Sequence, residues 1–493
     1  MQISSLARTL RLQEDVTSIK QTQDDLSRQL VTGKKAETFG GLGSDAAVVL
    51  SLRDQVSSME SYVKTMDLVN LRLGIQSGVL TRMDEISSKL KTDALTTTFD
   101  LTGSGQTQLQ LNAASQFDEI ASLLNTELEG RHLFGGTDTA DQPVALPGLI
   151  LDGDTTHAGL KQLVSERAQA DVGADDRARL TLNTVGDTFS VAEDADPSVF
   201  GAKLFGTTST LSGTTVTGPA GSPPNLDIAF SATLPQHGES IGIEFTMPDG
   251  TKETLTLKAT SISPAGEGEF LIGADENATA TNFGTAFDTA LQEFAKTTVK
   301  SASAAEAANN FFESNPPQRV NGAPLSSATS LVDGTSTDTV FWYTGDTSSN
   351  APGLAKIGDN EVVSYGVRAD DSAVVDLMKT TALLSITTFS DSDPLGRKEY
   401  DEMVERAADT VSFQGQRAPL DALMEVGFLQ SKIDSAKEQT QSAISVSTGI
   451  VDDVENADTY EIASKLAVVQ TQLEAAYQVT ARINSLSLLN FLR

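Results

Sequence analysis

Apolar residues recur at Ile462, Leu466, Val469, Leu473, Ala476, Ile483 and Leu486, with Thr480 in one slot and Leu489 three positions further on, in steps of four and three. That spacing lays one narrow apolar stripe along a helix, the pattern of a helix that meets another helix. The opening of the chain repeats it with Ile3, Leu6 and Leu10, then Leu12, Val16, Ile19, Leu26 and Leu30, with one local slip in register. Chain termini usually fray. Here both ends read as partners, for each other or for further copies of the chain.

A Gly-rich break at Gly40, Gly41 and Gly43 precedes a second long pattern, Val49, Leu52, Val56, Met59, Val63, Met66, Leu73 and Leu80, in which Asn70 and Ser77 occupy apolar slots. A helix over 45–91 would be about 70 Å long at 1.5 Å per residue. Ser44 stands at its N-cap position, with Asp45 in the first turn. A third helix is predicted with Leu109, Ala113, Phe117, Ile120 and Leu124 on one face, ending near Gly130 as its C-cap. From 141 to 392 the texture changes to short alternating runs. Gly242 to Thr246 and Glu253 to Leu257, around Asp249-Gly250, predict a β-hairpin. Phe283, Phe287, Leu291 and Phe294 predict a short helix after it. Helical spacing returns at Tyr400, Met403 and Ala407, breaks over 415–419, and runs on from Leu420; Asp458 with Glu461 marks a restart. The expected fold is mainly α with an α+β insert. Long antiparallel terminal helices form a coiled-coil rod, and a β-rich, solvent-facing domain is inserted between the two helical halves.

Charge narrows the partners. Lys plus Arg number 35 against 67 Asp plus Glu, a formal net charge of -32, so a phosphate backbone would be repelled and nucleic acid is not an expected partner. The excess acid lies in the middle: residues 1–35 carry six basic and four acidic side chains. Cysteine is absent, which removes thiolate metal sites, catalytic thiols and disulfides together. There is no run of about 18 apolar residues and no apolar leader segment, so neither membrane insertion nor a cleavable signal is expected. Aromatics are 5% of the chain, while Ser, Thr, Ala and Gly crowd its middle.

Candidate chemistry is sparse. His132, His157 and His237 fall in separate segments and read as turn or surface residues; no HExxH, Walker A or GxSxG pattern occurs. Gly41-Leu42-Gly43-Ser44-Asp45-Ala46 matches GxGxxA, but a helix precedes it where a dinucleotide fold needs a strand. Asp152-Gly153-Asp154 lacks the remaining calcium-loop ligands and reads as a solvated turn. No catalytic residue, metal or cofactor is expected. A polysaccharide-binding or hydrolysing role for the insert would need paired carboxylates across a cleft, and acids are too numerous here to nominate a pair.

Several segments resemble the flagellin-like axial proteins of the bacterial flagellum. Val31-Thr32-Gly33-Lys34-Lys35 is similar to that family's turn after the first helix, and Ser44-Asp45-Ala46-Ala47 to the entry of its second. Gly130-Arg131-His132-Leu133-Phe134-Gly135-Gly136-Thr137, Phe341-Trp342-Tyr343-Thr344-Gly345-Asp346, Tyr365-Gly366-Val367-Arg368-Ala369 and the closing 472–477 and 486–492 resemble the hook-associated protein 3 branch most. The resemblance spans about 1–136 and 398–493, and most of 140–340 matches nothing. It implies a non-enzymatic structural subunit, exported unfolded with the help of the flagellar export apparatus and a chaperone and assembled outside the cell. Self-association, a neighbouring hook-associated protein and flagellin are the implied partners. By that likeness 1–44 with 459–493 line an inner tube, 45–135 with 398–458 form a helical rod domain, and 136–397 is the variable outer insert. The assembly residues would be Leu6, Leu10, Val16, Ile19, Leu26, Leu30, Ile462, Leu466, Val469, Leu473, Ile483, Leu486 and Leu489. The chain is long for the hook-associated branch, and its start, Met1-Gln2-Ile3-Ser4, is only loosely like either branch. A filament flagellin is therefore the alternative.

Overall fold

The computed structural model describes residues 3–491 except 195, 196, 348–352 and 391; the side chains of 3–6, 8, 9 and 484–491 also lie outside what it describes. Helix α1 covers Ile3–Thr32, α2 Asp45–Thr96 and α3 Gln108–Leu124, followed by β1 (Glu127–Leu128) and β2 (Arg131–His132). After α4 (Pro147–Asp152) and α5 (Leu160–Val172) come β3 (Leu180–Val185), β4 (Thr188–Glu193), β5 (Lys203–Ser209), β6 (Thr214–Gly221), β7 (Pro224–Phe230), β8 (Ser240–Thr246), β9 (Lys252–Thr260) and β10 (Glu269–Leu271). Helix α6 (Glu276–Phe294) passes through a π-helical turn, Ala295–Val299, into α7 (Lys300–Glu313). Short strands β11 (Gln318–Asn321), β12 (Ser330–Asp333), β13 (Leu354–Lys356) and β14 (Val362–Ser364) lead to α8 (Ser372–Ile386), α9 (Gly396–Thr410), α10 (Pro419–Glu455) and α11 (Thr459–Phe491). The chain is mostly helical, with terminal helices flanking a central β-rich insert.

Contacts divide it into two compact units. The first holds the residues up to Asn70, Ala355–Val363 and the residues from Gln430 on. In it α1 packs on α11, and the exit of α1 is stitched to the entry of α11: Ala457 N donates to Gly33 O at 2.9 Å and Lys35 N to Glu455 O at 2.7 Å. Gly33, at φ +69°, ends α1 in the left-handed conformation that glycine adopts at least cost, and its N–H returns to Gln29 O. The start of α2 and the end of α10 are antiparallel, because Arg53, Asp67 and Asn70 meet Glu455, Lys437 and Asp434 in descending order. Asn70, in an apolar slot of the pattern, donates to Asp434 Oδ1 at 2.6 Å. The turn between β13 and β14 joins this unit, with Asp359 accepting from the Tyr62 hydroxyl at 2.9 Å.

The second unit comprises Leu71–Leu354 and Ser364–Leu429. Two four-stranded sheets, ordered β3-β4-β7-β6 and β10-β9-β8-β5, share one core with α6. The predicted hairpin is β8 with β9, pairing Thr246 with Lys252, and Phe283, Phe287, Leu291 and Phe294 are all buried. Phe283 gathers Phe189, Phe230 and Phe270 around it at ring separations of 5.1 to 5.7 Å. Aromatic pairs at such separations add to what their burial contributes. Helix α3 presents the expected face, Leu109, Ala113, Phe117, Ile120 and Leu124, and packs on α8. Thr107 and Gln110 form its capping box.

Three expectations change. Helix α3 stops at Leu124, not near Gly130, because the Asn125 side chain turns aside to bond both backbone groups of Val144, at 2.9 and 3.0 Å. Glu129 (φ 54°) and Gly130 (φ 73°) instead form the tight turn between β1 and β2. Helix α2 continues past residue 91 to Thr96. The insert carries α4, α5, α7 and α8 besides the one helix foreseen.

Candidate assembly surface

The sequence-predicted assembly residues lie on α1 and α11. Val16, Ile19, Leu26 and Leu30 on α1 are half-buried, as are Leu466, Val469, Leu473 and Ile483 on α11; Ile462 is buried, and Leu10 is 54% exposed. Leu6, Leu486 and Leu489 fall on the same helices, but their side chains lie outside the described residues. One helix partner thus leaves most of these side chains partly open. The apolar band of α11 is also wider than a single helix covers. Val468 and Tyr477, nine residues apart, stand on opposite flanks at about 100° per residue, so the band spans roughly half the circumference. Those flanking side chains are bare: Val468 is 54%, Tyr477 50% and Val479 46% exposed.

In the second unit, three stretches distant in sequence come together. Asp346 N donates to Gly135 O at 3.0 Å and Ala369 N to Phe134 O at 2.9 Å, while Ala145 N reaches Trp342 O at 2.9 Å. Thr137 Oγ1 donates to the Asp346 carboxylate. Trp342 is buried against Phe312 and Tyr343, and its Nε1 donates to Phe312 O at 2.9 Å. The 130–137, 341–346 and 365–369 segments therefore form one packed cluster. Gln76 of α2 holds it from beneath: its Nε2 donates to Leu133 O at 2.7 Å and to Val367 O at 3.1 Å, and its Oε1 accepts from Val367 N. Sequence reading placed Ser77 in the stripe and passed over Gln76. The run Leu73, Gln76, Leu80, Met83 is the signal for a buried glutamine there.

His132 is buried in β2, not at a surface or in a turn, with Nδ1 3.0 Å from Asn125 O. His157 and Asp154 share one exposed turn, in which N–H donors of Thr156 and His157 hold the Asp154 carboxyl well below the usual range. Ser261 N donates to His237 Nδ1 at 3.4 Å. Among the described residues, no three His, Cys, Asp or Glu side chains are placed to hold a metal ion, and no helix is long and apolar enough to cross a membrane.

Two family models match the chain: the bacterial flagellin N-terminal helical region over residues 3–139, and the bacterial flagellin C-terminal helical region over 421–492. The first covers α1 to just past β2, and the second all but the start of α10 together with α11. A search of curated proteins finds no match. The chain is therefore flagellin-like at both ends, a structural subunit of the bacterial flagellum whose terminal helices suit coiled-coil self-assembly in an extracellular appendage of motility.

Proposed function

We propose that this flagellin-like chain is a subunit of the hook-filament junction, of the hook-associated protein 3 type, that self-assembles through its terminal helices. The observation that carries the reading is the packed cluster of 130–137, 341–346 and 365–369, the segments whose wording resembles that branch. Residues 1–44 with 459–493 would form the inner assembly layer, 45–135 with 398–458 the helical layer around it, and 136–397 the outer insert. Its neighbours would be another hook-associated protein on one side and flagellin on the other, reached after passage through the flagellar export apparatus with a chaperone. The side chains at the interface would be those named above on α1 and α11. A filament flagellin is the second reading, favoured by the matches to flagellin helical regions at both ends.

Immuno-gold labelling of purified flagella with an antibody against residues 140–395 tests it. Label confined to the hook-filament boundary is the expected result. Label along the whole filament would make the chain a flagellin, and unlabelled flagella would remove both readings.

A further inference from the structure

A small cavity of about 30 Å³ lies in the second unit, where α2, β2 and the chain around Tyr365 come together. By volume it has room for about two water-sized atoms. Arg72 and Gln76, one turn apart on α2, line it with Arg131, His132 and Tyr365. Glycines complete the wall and leave space that side chains would take: a Cβ at Gly366 would come 3.2 Å from Gln76 Oε1.

The lining is cationic. Two arginines and His132 contribute to it and no carboxylate does, in a chain whose acids outnumber its bases almost two to one. Among the described residues, none of these three side chains is ion-paired. Glu127 stands opposite His132 in the β1-β2 register, but it is exposed and outside the lining. Arg72 Nη1 donates to the Tyr365 hydroxyl at 2.8 Å, while Arg72 Nε is buried without a partner. Gln76 cannot serve it, since its amide is engaged by Leu133 and Val367. A buried guanidinium N–H without an acceptor is costly, and arginine presents its donors in a fork that matches the two oxygens of a carboxylate.

We propose that this cavity holds one carboxylate group, bound by Arg72 and Arg131. The charge selects an anion, and the volume limits it to a group of two oxygens, so the remainder of a longer ligand stays outside. A free organic acid, or an Asp or Glu side chain of a second copy, supplies the same chemistry. The site is independent of where in the flagellum the subunit stands.

Titration of the full, unpolymerised chain with sodium formate at constant ionic strength, followed by the NMR line width of formate, tests the proposal. One saturable site per chain is expected. Arg131→Gln, a change at an exposed side chain, should weaken it at least about tenfold with helicity unchanged by circular dichroism, and Arg72→Gln likewise. Formamide has the size without the charge, and pivalate the charge with a bulky carbon beside it; each should bind at least about tenfold more weakly. Absence of a saturable site overturns the proposal, as does an Arg131→Gln titration that superimposes on the wild type, or formamide or pivalate binding as tightly as formate. The same titration on the polymer separates the two sources. A site open in the free subunit and closed in the polymer assigns the carboxylate to a neighbouring copy, and a site open in both assigns it to a free acid.

Discussion

Gln76 shows how one side chain can hold distant sequence together. It is almost fully buried, and its amide serves the backbone of Leu133 and both backbone groups of Val367. Gln76→Leu keeps the shape but leaves buried groups unpaired, each costing about 1–3 kcal/mol. A loss of about 2–4 kcal/mol is expected, read as a lower urea midpoint by the fluorescence of Trp342, the single tryptophan of the chain. An unchanged midpoint with unchanged slope would refute that role. Asp376 poses the opposite case. It is buried on α8 with Lys379 at 2.7 Å, yet burial dominates and pushes its carboxyl up from the ordinary range. Because the folded state holds this proton more tightly than the unfolded chain, the group contributes stability as pH falls through the raised value toward the ordinary one, and loses it as pH rises. Asp376→Asn removes that contribution. The melting temperature of the wild type minus that of the variant should therefore grow as pH falls toward the ordinary carboxylate range; a flat or inverted difference would exclude it. Asp376 carries no sequence signal of its burial, and Gln76 only the Leu73-Gln76-Leu80-Met83 spacing, which by itself names no partner. Periodicity assigns polar residues to the outside, and only their partners, 57 and 291 positions away for Gln76, explain their burial.

At the scale of elements, what the sequence revealed depended on whether a face stayed apolar. The Phe283-Phe287-Leu291-Phe294 face and the β8-β9 alternation were readable because one side of each meets the core and the other meets water. Helix α5 was hidden because its inner face holds Glu166, Arg167 and Asp171. These are compensated by partners elsewhere: Asp171 accepts from Arg167 at 2.7 Å, Ser303 at 2.7 Å and Gly201 N at 2.8 Å, and Arg319 forks onto Glu166. Helix α8 was hidden for the converse reason. It is buried from Ala373 through Leu384 on every side, so no polar face marks its period. The β1-β2 hairpin carries a correctable local conflict. Glu129 holds φ 54° in a turn that prefers Asn or Gly there. Glu129→Asn should stabilise the second unit by about 0.5–1 kcal/mol, raising the urea midpoint. A lower midpoint would mean that the glutamate makes up for its backbone strain in some other way.

At the scale of the whole molecule, the ends were the most legible part, since a stripe repeated over eight turns needs no knowledge of distant partners. The insert between 140 and 420, matched by neither family model, was read only in pieces. Assembly should then depend on the α11 band in two separable ways. Leu473 is half-buried on the helix that packs on α1, so Leu473→Lys sets a charge into the pair itself and should block polymerisation while Trp342 fluorescence remains native. Val468 and Val479 lie on the bare flank, where a lysine remains solvated in the lone subunit and leaves α1 with α11 intact. If copies of the chain cover that flank, burying the exposed half of each valine contributes about 0.7–1.5 kcal/mol per contact, equivalent to about a three- to tenfold shift in the concentration needed to polymerise. Sedimentation of Val468→Lys against Val479→Lys and the wild type measures that concentration, with circular dichroism as the check on helicity. Flank variants that polymerise at the wild-type concentration would confine the interface to the stripe shared by α1 and α11. A rise of about threefold or more with helicity unchanged would make the flank the surface on which neighbouring copies pack.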